Sequence, residues 1–226
     1  MDGDKELNSL LNLNWLYIDP EGTLWEIGKK GKIFRYDHIH DTFELVYRLP
    51  IEDFRDLPAP ISFSWIDRNN HIWLCNEETI FLYNTCTGQV TQVKNSLSEA
   101  INDIEQIDES HFFIGTEVGI HHAQLKDNTL QLLPCDKLDN VNIQVNDLHF
   151  DPKIRKLFIG AFQRGIMVYD MKTKMVTQPE VSLKDVSISR IKPLNAKELL
   201  IATDGGGIYK MNVETYQTEP FIVADY

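Results

Sequence analysis

The chain has 226 residues, 34 acidic against 22 basic side chains, and a formal net charge of −12. Hydrophobic residues at 42% and charged residues at 25% are those of a folded globular chain of one or two domains, which excludes wholesale disorder. The acidic balance excludes binding by phosphate neutralisation, so neither nucleic acid nor an anionic membrane surface is an expected partner.

Five segments repeat one layout in chain order: a short alternating strand ending near an Asp, a polar turn, an aromatic or aliphatic strand, a Gly-containing turn, and an Ile-led strand. The third strand opens at Ile33, Ile80, Ile120, Ile166 and Ile208, with spacings of 47, 40, 46 and 42 residues. A mean of about 44 is the size of a four-stranded propeller blade. In the first segment Trp15, Tyr17 and Asp19 alternate with Leu16 and Ile18, and Asp19-Pro-Glu-Gly22 makes the turn. Asp67-Arg-Asn-Asn70 and Asp151-Pro152 repeat that turn, where Asx and Pro favour reversal through local hydrogen bonds and a preset φ.

The second strand is anchored by Trp25, Trp73, Phe113, Phe158 and Leu200, each 7 or 8 residues before the Ile. Such bulky side chains fill the space between blades, so the tryptophans are read as packing rather than ligand-stacking residues. Outer strands are expected near Phe43–Leu49, Gln89–Lys94, Thr129–Leu133, Lys174–Gln178 and Tyr216–Val223. The one helical candidate is a turn around Leu97–Ala100. The expected fold is all-β: a propeller of five sequence blades, at about 14–49, 62–94, 102–133, 145–178 and 188–223, each of four antiparallel strands.

Phe113-Ile-Gly-Thr followed by Gly-Ile, and Gly165-Ile-Met-Val-Tyr-Asp170, resemble the two-component regulator propeller repeat. The resemblance covers about 14–223, with departures at Trp73-Leu-Cys-Asn and Leu200-Ile-Ala-Thr. It implies a non-catalytic, periplasmic or extracellular sensor domain of a hybrid histidine kinase, responding to an oligosaccharide or similar polar ligand. It also implies a larger ring, usually of seven blades, with further signalling domains and a kinase beyond this segment. On that reading the chain is a fragment; a self-standing five-bladed ring is the alternative, since five blades account for its length. Pairing of ectodomains as a homodimer is a further expectation.

No apolar run approaches the roughly 20 residues that span a bilayer, and the acidic start Met1-Asp-Gly-Asp-Lys-Glu lacks the pattern of a signal peptide. Cys75, Cys86 and Cys135 make neither a disulfide framework nor a metal knuckle, and leave the redox compartment open.

The remaining motifs have plain readings. Asp204-Gly-Gly-Gly207 is followed by strand, so a tight turn is expected rather than a phosphate loop, which needs a helix N-terminus. Asp37-His-Ile-His-Asp41 offers two imidazoles and two carboxylates but no distant third ligand, and reads as a solvated loop. His121 and His122 point to opposite faces of a strand. Neither a nucleophile elbow nor a zinc helix is present, and no metal or cofactor is expected.

Propellers bind ligands at one end of the central channel. Repeat alignment puts Trp15, Phe63, Asp103, Asp147 and Arg190 at one position of the innermost strands, facing turns that carry Lys30, Glu77, Glu117, Arg164 and Asp204. The ligand site is therefore placed on Trp15, Phe63, Asp103, Asp147, Arg190, Arg164 and Asp204, an aromatic and charged set suited to a sugar. Two alternatives stand beside it: Trp15 and Phe63 packing into the blade core, and Asp103 and Asp147 as turn-capping groups at a polar channel mouth. An enzyme reading, lyase or hydrolase, rests on Asp103, Asp147, His149 and Arg190, with Asp147 and His149 on one face as an acid/base pair. A protein-docking scaffold is the third reading.

Overall fold

The computed structural model describes residues 13–28, 30–49, 61–76, 79–135, 137–138, 141–179, 183 and 185–222. Glu77 and Val223, named above, lie outside them. The described residues are all-β and propeller-like; Leu97–Ala100 is a bend rather than a helix, with the Asn95 carboxamide oxygen accepting from the Leu97 N–H at 3.1 Å. Among the described residues there is no helix long and apolar enough to cross a membrane.

Two compact units are present, Met1–Ala100 with Asp127–Leu130, and Ile101–Lys126 with Gln131–Tyr226. In the first, β1 (Leu13–Ile18), β2 (Leu24–Gly28), β3 (Lys32–Asp37) and β4 (Thr42–Arg48) form one antiparallel sheet in chain order. The next sheet runs through β5 (Phe63–Ile66), β6 (His71–Cys75), β7 (Thr79–Asn84) and β8 (Val90–Lys94), where Lys94 pairs in parallel with Thr129. The second unit begins with β9 (Ile101–Gln106), β10 (His111–Thr116) and β11 (Ile120–Lys126); of β12 (Thr129–Leu133), Thr129 and Leu130 belong to the first unit and Gln131–Leu133 to the second. Among the described residues the single Lys94–Thr129 pair links β8 with β12, so five separate blades are not established. Two four-stranded sheets follow: β13 (Val145–Asp151), β14 (Lys156–Ala161), β15 (Gly165–Asp170) and β16 (Met175–Thr177), then β17 (Ile188–Pro193), β18 (Glu198–Thr203), β19 (Gly207–Asn212) and β20 (Thr218–Ile222).

The turn aspartates do more than reverse the chain. Asp19 accepts the Glu21 and Thr23 N–H groups on Oδ1 and the Trp25 indole N–H on Oδ2 at 2.9 Å; Asp67 does the same for Asn69, His71 and Trp73. Each thus ties the β1–β2 or β5–β6 turn to a buried tryptophan, and both carboxylates are themselves buried. Trp25, Ile27, Ile33, Ile72, Leu74 and Tyr83 share one core cluster in the first unit.

In the second unit the Phe-Ile-Gly motif has a packing cause. A Cβ on Gly115 would meet the Val145 side chain at 2.6 Å, and one on Gly160 would meet Ile188 Cγ2 at 2.7 Å. Glycine lets the next sheet close onto the strand; Ala202, at the same register position of β18, is partly exposed. Gly160→Ala is therefore expected to cost about 1–3 kcal/mol as overpacking, and Ala202→Gly less than 1 kcal/mol, measured as shifts in the urea midpoint.

Candidate functional site

The innermost strands of the second unit share an irregularity that sets up the site. Asn102 in β9, Asn146 in β13 and Ser189 in β17 are each skipped in the register with the following strand, so that Asp103 faces Gly115, Asp147 faces Gly160 and Arg190 faces Ala202. A residue left out of the ladder keeps its side chain and backbone for other partners. Asn102 Nδ2 donates to the Val145 carbonyl at 2.9 Å, and Asn146 Nδ2 donates to the Ile188 carbonyl at 2.9 Å. The aspartate that follows completes the link. Asp103 Oδ2 accepts the Leu148 N–H at 2.7 Å, and Asp147 Oδ2 accepts the Ile191 N–H at 2.7 Å.

Each Asn-Asp pair is thus a two-pronged clamp on the innermost strand of the next sheet. The third such dipeptide is Ser189-Arg190: Ser189 Oγ donates within its own sheet to Ala202, and Arg190 Nη1 reaches back to Asp147 Oδ1 at 3.1 Å. Asp147 is 2% exposed, while the Arg190 side chain is 62% exposed. Two residues further along lie Glu105, His149 and Lys192. His149 Nδ1 is 3.6 Å from Glu105, and its ring stacks on Phe158.

Burial and the neighbouring Asp147 and Glu105 carboxylates push Asp103 up to about 8, against the opposing pull of the Leu148 N–H and Lys192. Burial also raises Asp147, opposed by Lys192, the Ile191 N–H and Arg190. The Arg190 guanidinium bonded to Asp147 Oδ1 favours the charged form of that carboxyl.

Beside the clamps lies an open polar depression of about 460 Å3, lined by Asn102, Gln144, Asn146, Ser189 and Arg190. Its side chains are amides, a hydroxyl and one exposed cation, a set that hydrogen-bonds hydroxyl and carboxylate oxygens. Ser189 Oγ donates to the Ala202 carbonyl at 3.1 Å. Among the described residues no group of three His, Cys, Asp or Glu side chains is arranged to hold a metal ion.

Of the residues expected at the site, Asp103, Asp147 and Arg190 come together. Arg164 and Asp204 are exposed in the β14–β15 and β18–β19 turns; the Arg164 carbonyl accepts from Gln178, and the Asp204 N–H donates to Ser187. Neither lines the depression. Trp15 and Phe63 lie in the first unit, both partly buried, with Trp15 packed against its core cluster. The expected Asp147–His149 pair does not form: Asp147 bonds to Arg190 and Ile191, and His149 turns to Glu105. Alternate residues of a strand stand roughly 6.6 Å apart, so partners on the adjoining strand are closer. Gln144 escaped the sequence reading because it precedes the strand and stands at no repeated position.

Asp37-His-Ile-His-Asp41 forms the exposed β3–β4 turn, where the His40 ring bonds to Asp37 and the Tyr36 hydroxyl to Asp41. The Gly205–Gly207 run is a strand-to-strand turn with Gly205 and Gly207 at φ 79° and 90°, conformations open to glycine.

No family model and no curated protein matches the chain. Solved structures share its propeller-like fold. The extracellular domain of BT3049 from B. thetaiotaomicron, described as a hybrid two component system, aligns with a TM-score of 0.68 and 21% identity over 95% of this chain and 29% of that one. The extracellular domain of BT4673 from the same organism, described as a one component system, aligns at 0.67 and 19% identity over 94% and 28%. Sqt1 of Saccharomyces cerevisiae aligns at 0.62 and 13% identity over 92% and 72%. The chain thus spans under a third of each of these two bacterial extracellular domains. Matches that reach from bacterial ectodomains to a yeast protein identify an architecture, since one fold hosts many functions.

Proposed function

We propose that the chain is a non-catalytic ligand-sensing module from the extracellular part of a bacterial one- or two-component regulator. The observation that carries this reading is the alignment of 95% and 94% of the chain with two sensor ectodomains. The polar depression beside Arg190 is the ligand site, and an oligosaccharide or similar polyol is the ligand class its amides and guanidinium suit. Arg164 and Asp204, in turns of the same unit, are candidates only for contacts with a larger ligand.

The module is part of a longer ring. Leu16 and Ile18 in β1 are 56% and 68% exposed, Leu45 in β4 is 46% exposed, and Ile222 in β20 is 57% exposed. Sheet faces carrying such side chains are normally covered by a neighbouring blade. A reading frame that continues into further blades, a membrane helix and a signalling domain is the expected gene structure.

Ligand binding is tested by thermal-shift screening of the chain against an oligosaccharide panel, with product analysis on every hit. A sugar that raises the Tm, is not turned over, and loses its effect in Arg190→Ala supports the module. Turnover that disappears in Asp147→Asn would instead make the chain an enzyme. Its motivating feature is the carboxyl of Asp103, raised to about 8 beside a depression, a feature shared by many catalytic acids.

A further inference from the structure

A second cavity, unrelated to the polar depression, lies within the second unit between β10–β11 and β15–β16, with a volume of about 520 Å3. That volume is within the usual range of small-molecule sites. Lys137, Arg155 and Lys174 stand on its wall, and among the described residues no carboxylate does. In a chain with 34 acidic and 22 basic residues, three cations and no acid among the described lining residues run against the composition. None of the three cations is in an ion pair among the described residues.

The apolar part of the lining is equally specific. Phe113 and Tyr169 line it with ring centroids 6.1 Å apart, and Met171 and Met175 line it with them. Thioethers make favourable contacts with aromatic ring edges and adapt to ligand shape.

Two of the cations occupy backbone positions that usually select other residues. Arg155 and Lys174 have φ of 58° and 57°, in the turns before β14 and before β16. The corresponding turns of the first two sheets use Gly22 and Asn70, and Asp41 and Gly88. Glycine, asparagine and aspartate enter this left-handed region at low cost, whereas long cationic side chains do so less readily. The Arg155 N–H donates to Asp151 O at 2.9 Å and the Lys174 N–H to Asp170 O at 2.7 Å, which fixes both turns with their cations on the cavity wall.

We propose that this cavity binds a small aromatic carboxylate. The carboxylate meets Arg155, whose planar fork matches its two oxygens, with Lys174 and Lys137 adding charge. The ring lies among Phe113, Tyr169, Met171 and Met175. This site is independent of sugar binding at Arg190.

The test is titration calorimetry of the chain with 4-hydroxybenzoate, with 4-hydroxybenzamide and glucuronate as controls. Saturable binding of the benzoate is expected, at least tenfold weaker for the uncharged amide and for the non-aromatic acid. Arg155→Asn and Lys174→Asn keep residues that accept the left-handed turn, and each is expected to weaken binding at least fivefold. Arg190→Ala is expected to leave it unchanged. Absence of saturable binding, equal affinity for the amide, or full affinity in both Asn variants overturns the proposal; preference for glucuronate overturns the aromatic assignment.

Discussion

Replacing Asp147 with alanine is expected to destabilise the second unit by about 2–3 kcal/mol, the larger part of it from one backbone group. Ile191 is buried between exposed Arg190 and Lys192, and its N–H donates to Asp147 Oδ2 at 2.7 Å in a bond that is itself buried. Alanine leaves that donor without its partner, and an orphaned buried donor costs about 1–3 kcal/mol. Loss of the bond to Arg190 adds little, because its 62% exposed guanidinium returns to water. Asp147→Asn retains a carboxamide oxygen for the Ile191 N–H and is expected to cost less than about 1 kcal/mol. Arg190→Ala is expected to cost about 0–1 kcal/mol. Urea unfolding orders the three variants, and amide hydrogen exchange at Ile191 reports the bond directly. If Asp147→Ala is no more destabilising than Arg190→Ala, the clamp between β13 and β17 contributes no more than a surface ion pair.

A second large effect is expected in the pH dependence of stability. Asp103 is raised to about 8 in the folded protein, against about 3.9 for an unfolded aspartate. Between those values the native state holds a proton that the unfolded state has released. The stabilisation is therefore complete below about pH 4 and is lost as pH rises towards 8, with a slope of up to about 1.4 kcal/mol per pH unit. Asp147, also raised, contributes in the same direction. Asp103→Asn cannot ionise yet can still accept the Leu148 N–H, so it removes this dependence. From pH 5 to pH 8 the stability of Asp103→Asn relative to the parent protein is expected to rise by about 2 kcal/mol or more. Urea unfolding of both proteins at three pH values checks this; parallel pH profiles would place the Asp103 carboxyl in its ordinary range.

Both effects come from one row of side chains whose positions were legible in the sequence and whose role was not. Repeat alignment brought Asp103, Asp147 and Arg190 to a common position, and the structure has them in register opposite Gly115, Gly160 and Ala202. Alignment also put Trp15 and Phe63 at that position, but it carried no information on what packs over them. Trp15 rests on the first unit's core cluster. For Arg164 and Asp204 the assignment to turns was right, while membership of the depression depended on where those turns point.

The sequence by itself determined the strands, the turns and their repetition. Period-2 alternation and Asx or Gly turn chemistry act within a few residues, so the outer strands near Thr129–Leu133 and Gln89–Lys94 fall within a residue of where they were expected. The even repeat of Ile33, Ile80, Ile120, Ile166 and Ile208 is a local signal copied five times. Only the tertiary structure decided the partners. Asn102 with Val145, Asp103 with Leu148, Asn146 with Ile188 and Asp147 with Ile191 join residues 42 to 45 apart. An aspartate after an asparagine looks the same in sequence whether it caps its own turn, faces solvent or grips the next sheet. The choice is made when Gly115 and Gly160 let that sheet approach closely enough for its N–H groups to reach the carboxylates. The cationic cavity has the same origin, since Lys137, Arg155 and Lys174 belong to separate turns that packing alone brings onto one wall.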